Sequence, residues 1–157
     1  MKKTKKKRER GRRSIEMRKV DLSYIAGLFD GEGCISIAKC SPRRIGNSPY
    51  YRLEVAVVMA NEYIPKLFQF HFGGRTYKKK GMEYWRQQWQ WHAGSEEAVD
   101  FLKAILPYLR LKRDEAKLAL EFQSNKRVMA FERKPAGALA IEEAQRLLMK
   151  GLKDKTA

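Results

Sequence analysis

The sequence predicts an α+β fold in which one antiparallel four-stranded sheet carries helices on a single face. Three observations support this fold class. Residues 20–33 and 61–72 have the apolar spacing of helices; the first contains Gly31 and Gly33 at its end, and the second is followed by Gly73 and Gly74. Each is followed by two segments in which apolar and polar residues alternate, as in strands with one buried face. Three further helical patterns follow at residues 95–109, 113–124 and 138–153. The predicted order is therefore αββαββα, followed by further helices.

The first predicted helix leads directly into the first predicted strand. Asp21 suits the N-cap of the helix, because its side chain can accept a hydrogen bond from an unpaired backbone N–H. Gly31 and Gly33 suit the C-terminal end, where glycine commonly stops a helix. In the strand that follows, Ile35 and Ile37 share one face. We expect that face to lie against the helices.

The other three strands show the same alternation. They are predicted at residues 51–59, 75–80 and 83–93. In the last of them, Trp89 and Trp91 alternate with glutamines. Antiparallel sheets commonly bury one face and leave the other in water, so the opposite face of this sheet is expected to be accessible.

The charge of the chain predicts a polyanionic partner. Its 157 residues include 34 Lys plus Arg against 18 Asp plus Glu, a formal charge of +16. Residues 1–20 hold 11 of these cations and 2 acids, a net +9, which leaves +7 for the rest. We therefore expect a folded domain this basic to bind a polyanion. We predict a basic N-terminal arm at residues 1–19, a core domain at 20–125 and a helical extension at 126–157.

Composition argues against several other classes. No apolar run is long enough for a membrane span, and the N-terminus lacks the apolar segment of a secretory signal. Cys34 and Cys40 would lie about 20 Å apart on one strand, too far for a disulfide. His71 and His92 are isolated and are predicted to pack or face solvent rather than bind metal. We predict an intracellular protein (prokaryotic or phage cytoplasm, or an organelle matrix), not secreted, with no membrane partner and no small-molecule substrate.

The accessible face of the predicted sheet is polar and basic. Its residues are Ser36, Ala38, Arg52, Glu54, Arg75, Tyr77, Lys79, Arg86, Gln88 and Gln90. An ordinary solvated sheet face would explain this composition. A surface that lies in a DNA groove would explain it too, because Arg, Lys, Gln and Ser are side chains that contact base edges there. The charge of +16 favours the second interpretation. We assign these residues, with Arg43 and Arg44 in the adjoining loop, to DNA binding.

The segment from Tyr24 to Gly33 carries the most chemical information. Gly27 and Gly31 are four residues apart, so they lie on one helix face and would allow another backbone to approach closely. Asp30 and Glu32 stand at the C-terminal end of the helix, where the macrodipole is negative. Carboxylates are unfavourable there unless a cation joins them. Their oxygens suit Mg²⁺ or Ca²⁺.

Two segments resemble a known family. Residues 25–33, IAGLFDGEG, are similar to the motif that names the LAGLIDADG homing endonucleases. Residues 107–112, PYLRLK, followed by Ala116, resemble a second stretch typical of that family. Both lie at the expected separation within the αββαββα order. The resemblance covers residues 20–125 and implies the LAGLIDADG fold.

The resemblance implies a homodimer on double-stranded DNA. In the single-motif branch of the family, two chains pair through the glycine-containing helix over a pseudo-palindromic target, and cleavage supports intron mobility. The corresponding interface residues here are Ala26, Gly27, Asp30 and Gly31. Of these, Asp30 would serve helix-end or interface structure rather than bind metal. Each chain would then supply one acidic residue for one DNA strand.

The resemblance also implies a metal-dependent endonuclease. Glu32 would bind Mg²⁺ with help from the Gly31 carbonyl; Mn²⁺ would substitute, and Ca²⁺ would support binding without cleavage. Lys112 would lie near the scissile phosphate, where its charge offsets the negative charge of the transition state. Relatives often have a glutamine that orders water between the second strand and second helix. Here only Asn61 could replace it, so we include Asn61 among the catalytic candidates.

Two other functions remain open. An RNA maturase or a non-cleaving nucleic-acid-binding protein could use the same fold, because RNA-binding relatives can keep the acids. A ribosomal-type basic structural protein would explain the charge of +16, but it would not explain two acids at a glycine-rich helix end.

Overall fold

A computed structural model describes residues 19–42, 48–80, 86–131 and 137–156. Within these ranges the chain forms five α-helices, four β-strands and one short 3₁₀ turn. In chain order they are α1 (Lys19–Glu32), β1 (Gly33–Cys40), β2 (Tyr50–Met59), α2 (Tyr63–Phe72), β3 (Arg75–Lys79), β4 (Gln88–Gly94), α3 (Ser95–Ile105), the 3₁₀ turn (Leu106–Tyr108), α4 (Arg113–Phe131) and α5 (Ala138–Thr156). The predicted α+β class is confirmed. No helix in the described ranges is long and apolar enough to cross a membrane.

The four strands form one antiparallel sheet in the order β1-β2-β4-β3. Its register places Ile35 opposite Val55, and Val57 opposite Trp91. These side chains are buried and face the helices. The alternation in the sequence therefore assigned the two faces of the sheet correctly, because side chains with a period of two fall on one side of the pleat.

An aromatic cluster fastens three helices to the centre of the sheet. Phe101 of α3 lies 4.9 Å from Phe29 of α1 and 5.0 Å from Trp91 of β4, measured between ring centroids. Phe68 of α2 lies 5.1 Å from Trp91. The Trp91 indole donates a 2.8 Å hydrogen bond to the Gly73 carbonyl. Edge-on aromatic contacts of this kind stabilise a core beyond their buried area.

The start of α1 differs from the prediction. Helix α1 begins at Lys19, so Asp21 lies in its first turn rather than at its N-cap. Its carboxylate still lies near the positive end of the helix dipole. Helix α3 has Gly94 as its N-cap, and Ser95 has a positive φ of 50°. Apolar periodicity locates a helix end only to within one or two residues, so it does not identify the N-cap residue.

Helix α5 packs against α4 and the β1 edge of the sheet, and it buries Met149 in the core. Arg146 donates hydrogen bonds of 2.8 and 3.0 Å to Glu143 on the same helix. The Lys39 ammonium of β1 lies 3.6 Å from the Glu143 carboxylate. Arg146, and after it the Tyr51 hydroxyl of β2, lower the pKa of Glu143 to about 2. Glu143 therefore ties α5 to the first two strands.

Candidate active site

The C-terminal end of α1 is held tightly against the start of β1. A Cβ on Gly33 would lie 2.3 Å from the Phe29 ring and 2.4 Å from the Phe29 carbonyl oxygen. Contacts this short do not occur between real atoms, so only glycine fits. The helix consequently passes into the strand with no connecting loop, and Glu32 is fixed at one end of the sheet.

Asp30 connects this helix end to a distant segment of the chain. Its Oδ2 accepts a 2.8 Å hydrogen bond from the backbone N–H of Arg110, and its Oδ1 accepts a 3.0 Å bond from that of Lys112. Both carboxylate oxygens are therefore engaged within the chain. This arrangement gives Asp30 a structural task, which leaves it poorly placed to bind metal.

Lys112 reaches the same helix end through its side chain. Its Nζ donates a hydrogen bond to the backbone carbonyl of Asp30. A cation at this end is favourable, because the last carbonyls of a helix carry partial negative charge. The structure thus brings Lys112 next to the acidic end of α1, although Lys112 lies 82 residues beyond Asp30 in the sequence.

Glu32 differs from Asp30 in having no partner among the described residues. Its side chain is exposed, and no hydrogen bond or ion pair from the described residues engages its carboxylate. It stands at the negative end of α1, beside the exposed Gly31, whose carbonyl belongs to the last turn of the helix. Carboxylate and carbonyl oxygens are the ligands that Mg²⁺ and Ca²⁺ prefer. The donor set therefore fits a divalent cation. Within the described ranges, no group of three or more His, Cys, Asp or Glu side chains could hold a metal.

Helix α1 has one closed side and one open side. Ile25, Ala26 and Phe29 are buried in the core, with at most 1% of their surface exposed. On the other side, a Cβ on Gly27 or Gly31 would meet no described atom within 4 Å. Ala26 was predicted to lie in a dimer interface, and that prediction is corrected here. Ala26 follows Ile25 onto the core side of the helix, so it has no surface to offer a second chain.

A groove of about 550 Å³ runs beside the open side of α1. It is lined by Ser23, Gly27, Asp30, Pro107, Tyr108, Leu109, Arg110 and Arg113. One wall is the glycine side of α1, and the other is the segment that Asp30 holds in place. The groove therefore combines both of the sequence segments that resemble the family motifs.

Asn61 and Glu32 lie at the same end of the sheet, where β2 ends and β1 begins. Gly33 pairs with Val57, so the end of β2 lies beside the start of β1. The Asn61 Oδ1 accepts a 2.8 Å hydrogen bond from the backbone N–H of Tyr63 at the start of α2. One acceptor site of its amide oxygen is therefore used at the start of α2, and the second acceptor site and the amide nitrogen are its groups for ordering water.

The outer face of the sheet collects most of the predicted DNA-binding side chains. Directly opposed pairs across the strands are Ser36 and Glu54, Ala38 and Arg52, Tyr77 and Gln90, and Lys79 and Gln88. Arg86 lies before β4 and outside this register, because β3 ends at Lys79 and offers it no partner. Arg43 and Arg44 lie outside the described residues.

Sequence reasoning missed two residues on this face. His92, predicted to pack or face solvent, lies opposite Arg75 with its Nε2 3.6 Å from a Glu54 oxygen. Extending the alternation of Gln88 and Gln90 by one step would have found it. Lys153 of α5 lies 3.1 Å from the Cys34 sulfur. No sequence signal indicated that α5 reaches this edge, since only the tertiary packing brings it there.

Comparison with known proteins agrees with this geometry at the level of the fold. No protein-family model and no curated protein matches the sequence. Among solved structures, the homing endonuclease I-CvuI in complex with the I-CreI target has a TM-score of 0.70 at 20% identity, covering 85% of this chain and 82% of that chain. The archaeal intron-encoded homing endonuclease I-Vdi141I, complexed with DNA, has a TM-score of 0.70 at 14% identity, with coverages of 85% and 84%.

A third similar structure is the LAGLIDADG meganuclease I-AabMI bound to uncleaved DNA. Its TM-score is 0.64 at 14% identity, and the match covers 80% of this chain but 45% of that longer chain. The chain therefore has the fold of the LAGLIDADG homing endonucleases, as its motifs predicted.

Proposed function

We propose that this chain is a single-motif LAGLIDADG homing endonuclease that cuts both strands of double-stranded DNA as a homodimer with divalent metal. The observation that carries the proposal is the arrangement at the end of α1. The Glu32 carboxylate, which no described residue engages, stands at the negative end of the helix, with the Lys112 ammonium held at the same end. Similar structures are homing endonucleases with DNA, and the I-CvuI complexes were obtained with Mg or Ca.

The open side of α1 supports the homodimer. Glycine within a helix costs roughly 0.5–1 kcal/mol relative to alanine. Nothing among the described residues requires the small size of Gly27 or Gly31, because a Cβ would meet no atom at either position. A second copy of α1 in the adjoining groove would require it. Pairing of the two helices would bring the two Glu32 side chains together, one for each DNA strand.

Glu32 and the Gly31 carbonyl are the groups that would hold Mg²⁺. When bound, the metal would supply a nucleophilic water at neutral pH and charge stabilisation at the scissile phosphate. Lys112 acts through its fixed position: the ammonium is tied to the Asp30 carbonyl, so little reorganisation is needed when charge develops nearby. Asn61 has its amide nitrogen and the second acceptor site of its amide oxygen left to orient water.

The outer sheet face is proposed as the DNA-binding surface. Its strands present arginines, glutamines, a lysine and a serine in register, and a two-stranded ribbon fits the major groove. Lys153 adds a cation where this face meets the active site. The basic residues 1–19 would add contacts to phosphate, and the extension 126–157 would support the edge strand. We also propose an intracellular location and a role in intron mobility.

Cleavage of a randomised plasmid library in Mg²⁺ tests the function. The wild type is expected to cut a limited set of pseudo-palindromic sites, in Mn²⁺ as well, and to bind them without cutting in Ca²⁺. Glu32→Gln is expected to lower cleavage at least about 10³-fold, because the neutral amide does not attract the metal. Its DNA affinity and melting temperature should match the wild type, since the Glu32 carboxylate has no partner in the described chain. Glu121→Gln, an exposed site on α4, is the matched control.

Unchanged cutting by Glu32→Gln would reject Glu32 as the metal-binding acid. Absence of cutting by the wild type on every selected site would reject the endonuclease.

A non-cleaving nucleic-acid-binding protein, including an RNA maturase, is the second candidate. The observation that favours it is the hydrogen bond from the Tyr63 N–H to the Asn61 amide oxygen, which uses one of the two acceptor sites that this oxygen could offer to water. Competition between duplex DNA and structured RNA separates the two functions. Preferential binding of RNA without metal-dependent cleavage of DNA would support the maturase.

A further inference from the structure

Three side chains form a connected cluster on the outer sheet face. Arg52 and Glu54 are two residues apart on β2 and therefore point to the same side. The Arg52 Nε donates a 2.8 Å hydrogen bond to Glu54 Oε1, and Nη2 donates to the same oxygen. The other oxygen, Oε2, lies 3.6 Å from Nε2 of His92 on β4. Glu54 is thus occupied on both sides, while the Arg52 side chain remains 46% exposed.

The contact uses only one edge of the Arg52 guanidinium. A guanidinium has five N–H donors in a rigid fork. The Nε and one N–H of Nη2 are directed at Glu54, and no described residue engages the edge formed by Nη1 and the second N–H of Nη2. That edge has the spacing that matches O6 and N7 of guanine in the major groove. Glu54 fixes the plane of the fork, which reduces the entropy lost on binding.

The neighbouring position leaves room for a base. The residue opposite Arg52 is Ala38, whose side chain is a single methyl group. Ala38 comes six residues after Glu32, which is about 20 Å along an extended strand. At a rise of 3.4 Å per base pair, this corresponds to about six base pairs from the metal-binding acid.

We propose that Arg52 reads a guanine in each half-site and that Glu54 is a positioning residue which acts through Arg52 and does not itself contact a base. This inference rests on the proposed DNA-binding function and names a determinant of its specificity. The sequence assigned Arg52 and Glu54 alike to DNA binding, whereas this inference gives them different roles. His92 completes the arrangement from the other side of Glu54.

Arg75 provides a contrast on the same face. It is exposed and lies opposite His92, but no carboxylate of the described residues engages its guanidinium. An arginine that is not held in one plane suits phosphate contact, which carries no sequence information. Arg75→Gln is therefore the matched control for Arg52, since both are cations of the same type on one surface.

Selection of bound sequences from a random duplex library in Ca²⁺ tests the proposal. The wild type should enrich guanine at one position per half-site, with a preference of about 10- to 100-fold. Arg52→Lys should keep affinity within a few-fold and lose most of this preference, because an ammonium cannot form the fork. Glu54→Gln should also lose most of it. Arg75→Gln should weaken binding to all sequences alike and leave the preference unchanged.

The double variant Arg52→Ala/Glu54→Gln distinguishes positioning from direct contact. If Glu54 acts through Arg52, adding Glu54→Gln to Arg52→Ala changes nothing further. If Arg52→Ala kept a guanine preference and the added Glu54→Gln removed it, the proposal would be overturned. A full guanine preference in the single variant Glu54→Gln would overturn it too. Thermal unfolding of each variant establishes that it is folded.

The readout is binding, so it is independent of catalysis. A wild type that shows the guanine preference but cuts none of its sites in Mg²⁺ would reject the endonuclease and support the Arg52 assignment. A wild type that cuts sites without a guanine preference would support the endonuclease and reject the Arg52 assignment. Failure to enrich any sequence would overturn both.

Discussion

The two sides of α1 use the same residue type in opposite ways. Where α1 passes into β1, Gly33 lies against Phe29 of the closed side, and a single added carbon would overlap the Phe29 ring and carbonyl. On the open side, Gly27 and Gly31 touch nothing among the described residues. One glycine is therefore explained by the fold of this chain. The other two have no explanation inside it, and they point to a surface that a second chain would cover.

The two acids of the motif show the same division. Both carboxylate oxygens of Asp30 accept hydrogen bonds from backbone N–H groups of the segment that contains Lys112. Glu32, two residues further on, has no partner for its carboxylate within the described chain. A carboxylate with hydrogen-bond partners, such as Asp30, holds the site together. A carboxylate without partners in the described chain, such as Glu32, is available to a ligand.

The largest effect is expected from filling the open side of α1. Gly27→Leu should give a folded monomer, because a Cβ there meets no described atom within 4 Å, the groove beside it has room for the rest of the side chain, and leucine favours helices. DNA cleavage should fall below detection, since one chain supplies one acid. Sedimentation velocity and plasmid cleavage provide the measurements. Gly151→Leu on α5 is the control, because its Cβ also meets nothing within 4 Å. A dimer of the Gly27→Leu variant would refute the interface.

A smaller effect on stability separates the two classes of glycine. Gly33→Ala should destabilise the chain by about 3 kcal/mol, since the helix must move away from Phe29 to admit the methyl group. The same change at Gly27 should stabilise the monomer by about 0.5–1 kcal/mol. Urea unfolding at a protein concentration below dimer dissociation measures both. Equal effects at the two positions would remove the distinction between the sides.

Much of the fold followed from local patterns. Alternation in the strands gave the two sheet faces, and the register confirms them from Ser36 opposite Glu54 to Lys79 opposite Gln88. Arg86 was placed on this face because its strand was predicted to start too early. Alternation continues in the sequence there, but β3 ends at Lys79 and gives the extra residues no partner.

Local sequence patterns predicted less of the active site than of the fold. Lys112 lies far from Glu32 in sequence, and no periodicity connects them, so only the family resemblance placed both in one site; the contact between Lys112 and Asp30 was not predicted. Ala26 was misplaced because it adjoins Gly27 in sequence, whereas neighbours on a helix are turned by about 100°. The reach of Lys153 to Cys34 depends on how α5 packs. That helix has apolar residues on more than one side, with Met149 buried and Leu148 exposed, so its sequence does not indicate which side faces the sheet.

The smallest effect sharpens the comparison between the two acids. Asp30→Asn should reduce the free energy of unfolding by about 1–2 kcal/mol, because an amide has one acceptor oxygen and would turn an NH₂ group toward the second backbone N–H. Cleavage should decrease in part, since the Lys112 segment loses an anchor, but it should not disappear. Denaturation midpoints and cleavage rates are compared with those of Asp100→Asn, an exposed site on α3. A stable Asp30→Asn protein with no cleavage would instead make Asp30 a metal ligand, because loss of activity without loss of stability is the pattern expected of Glu32.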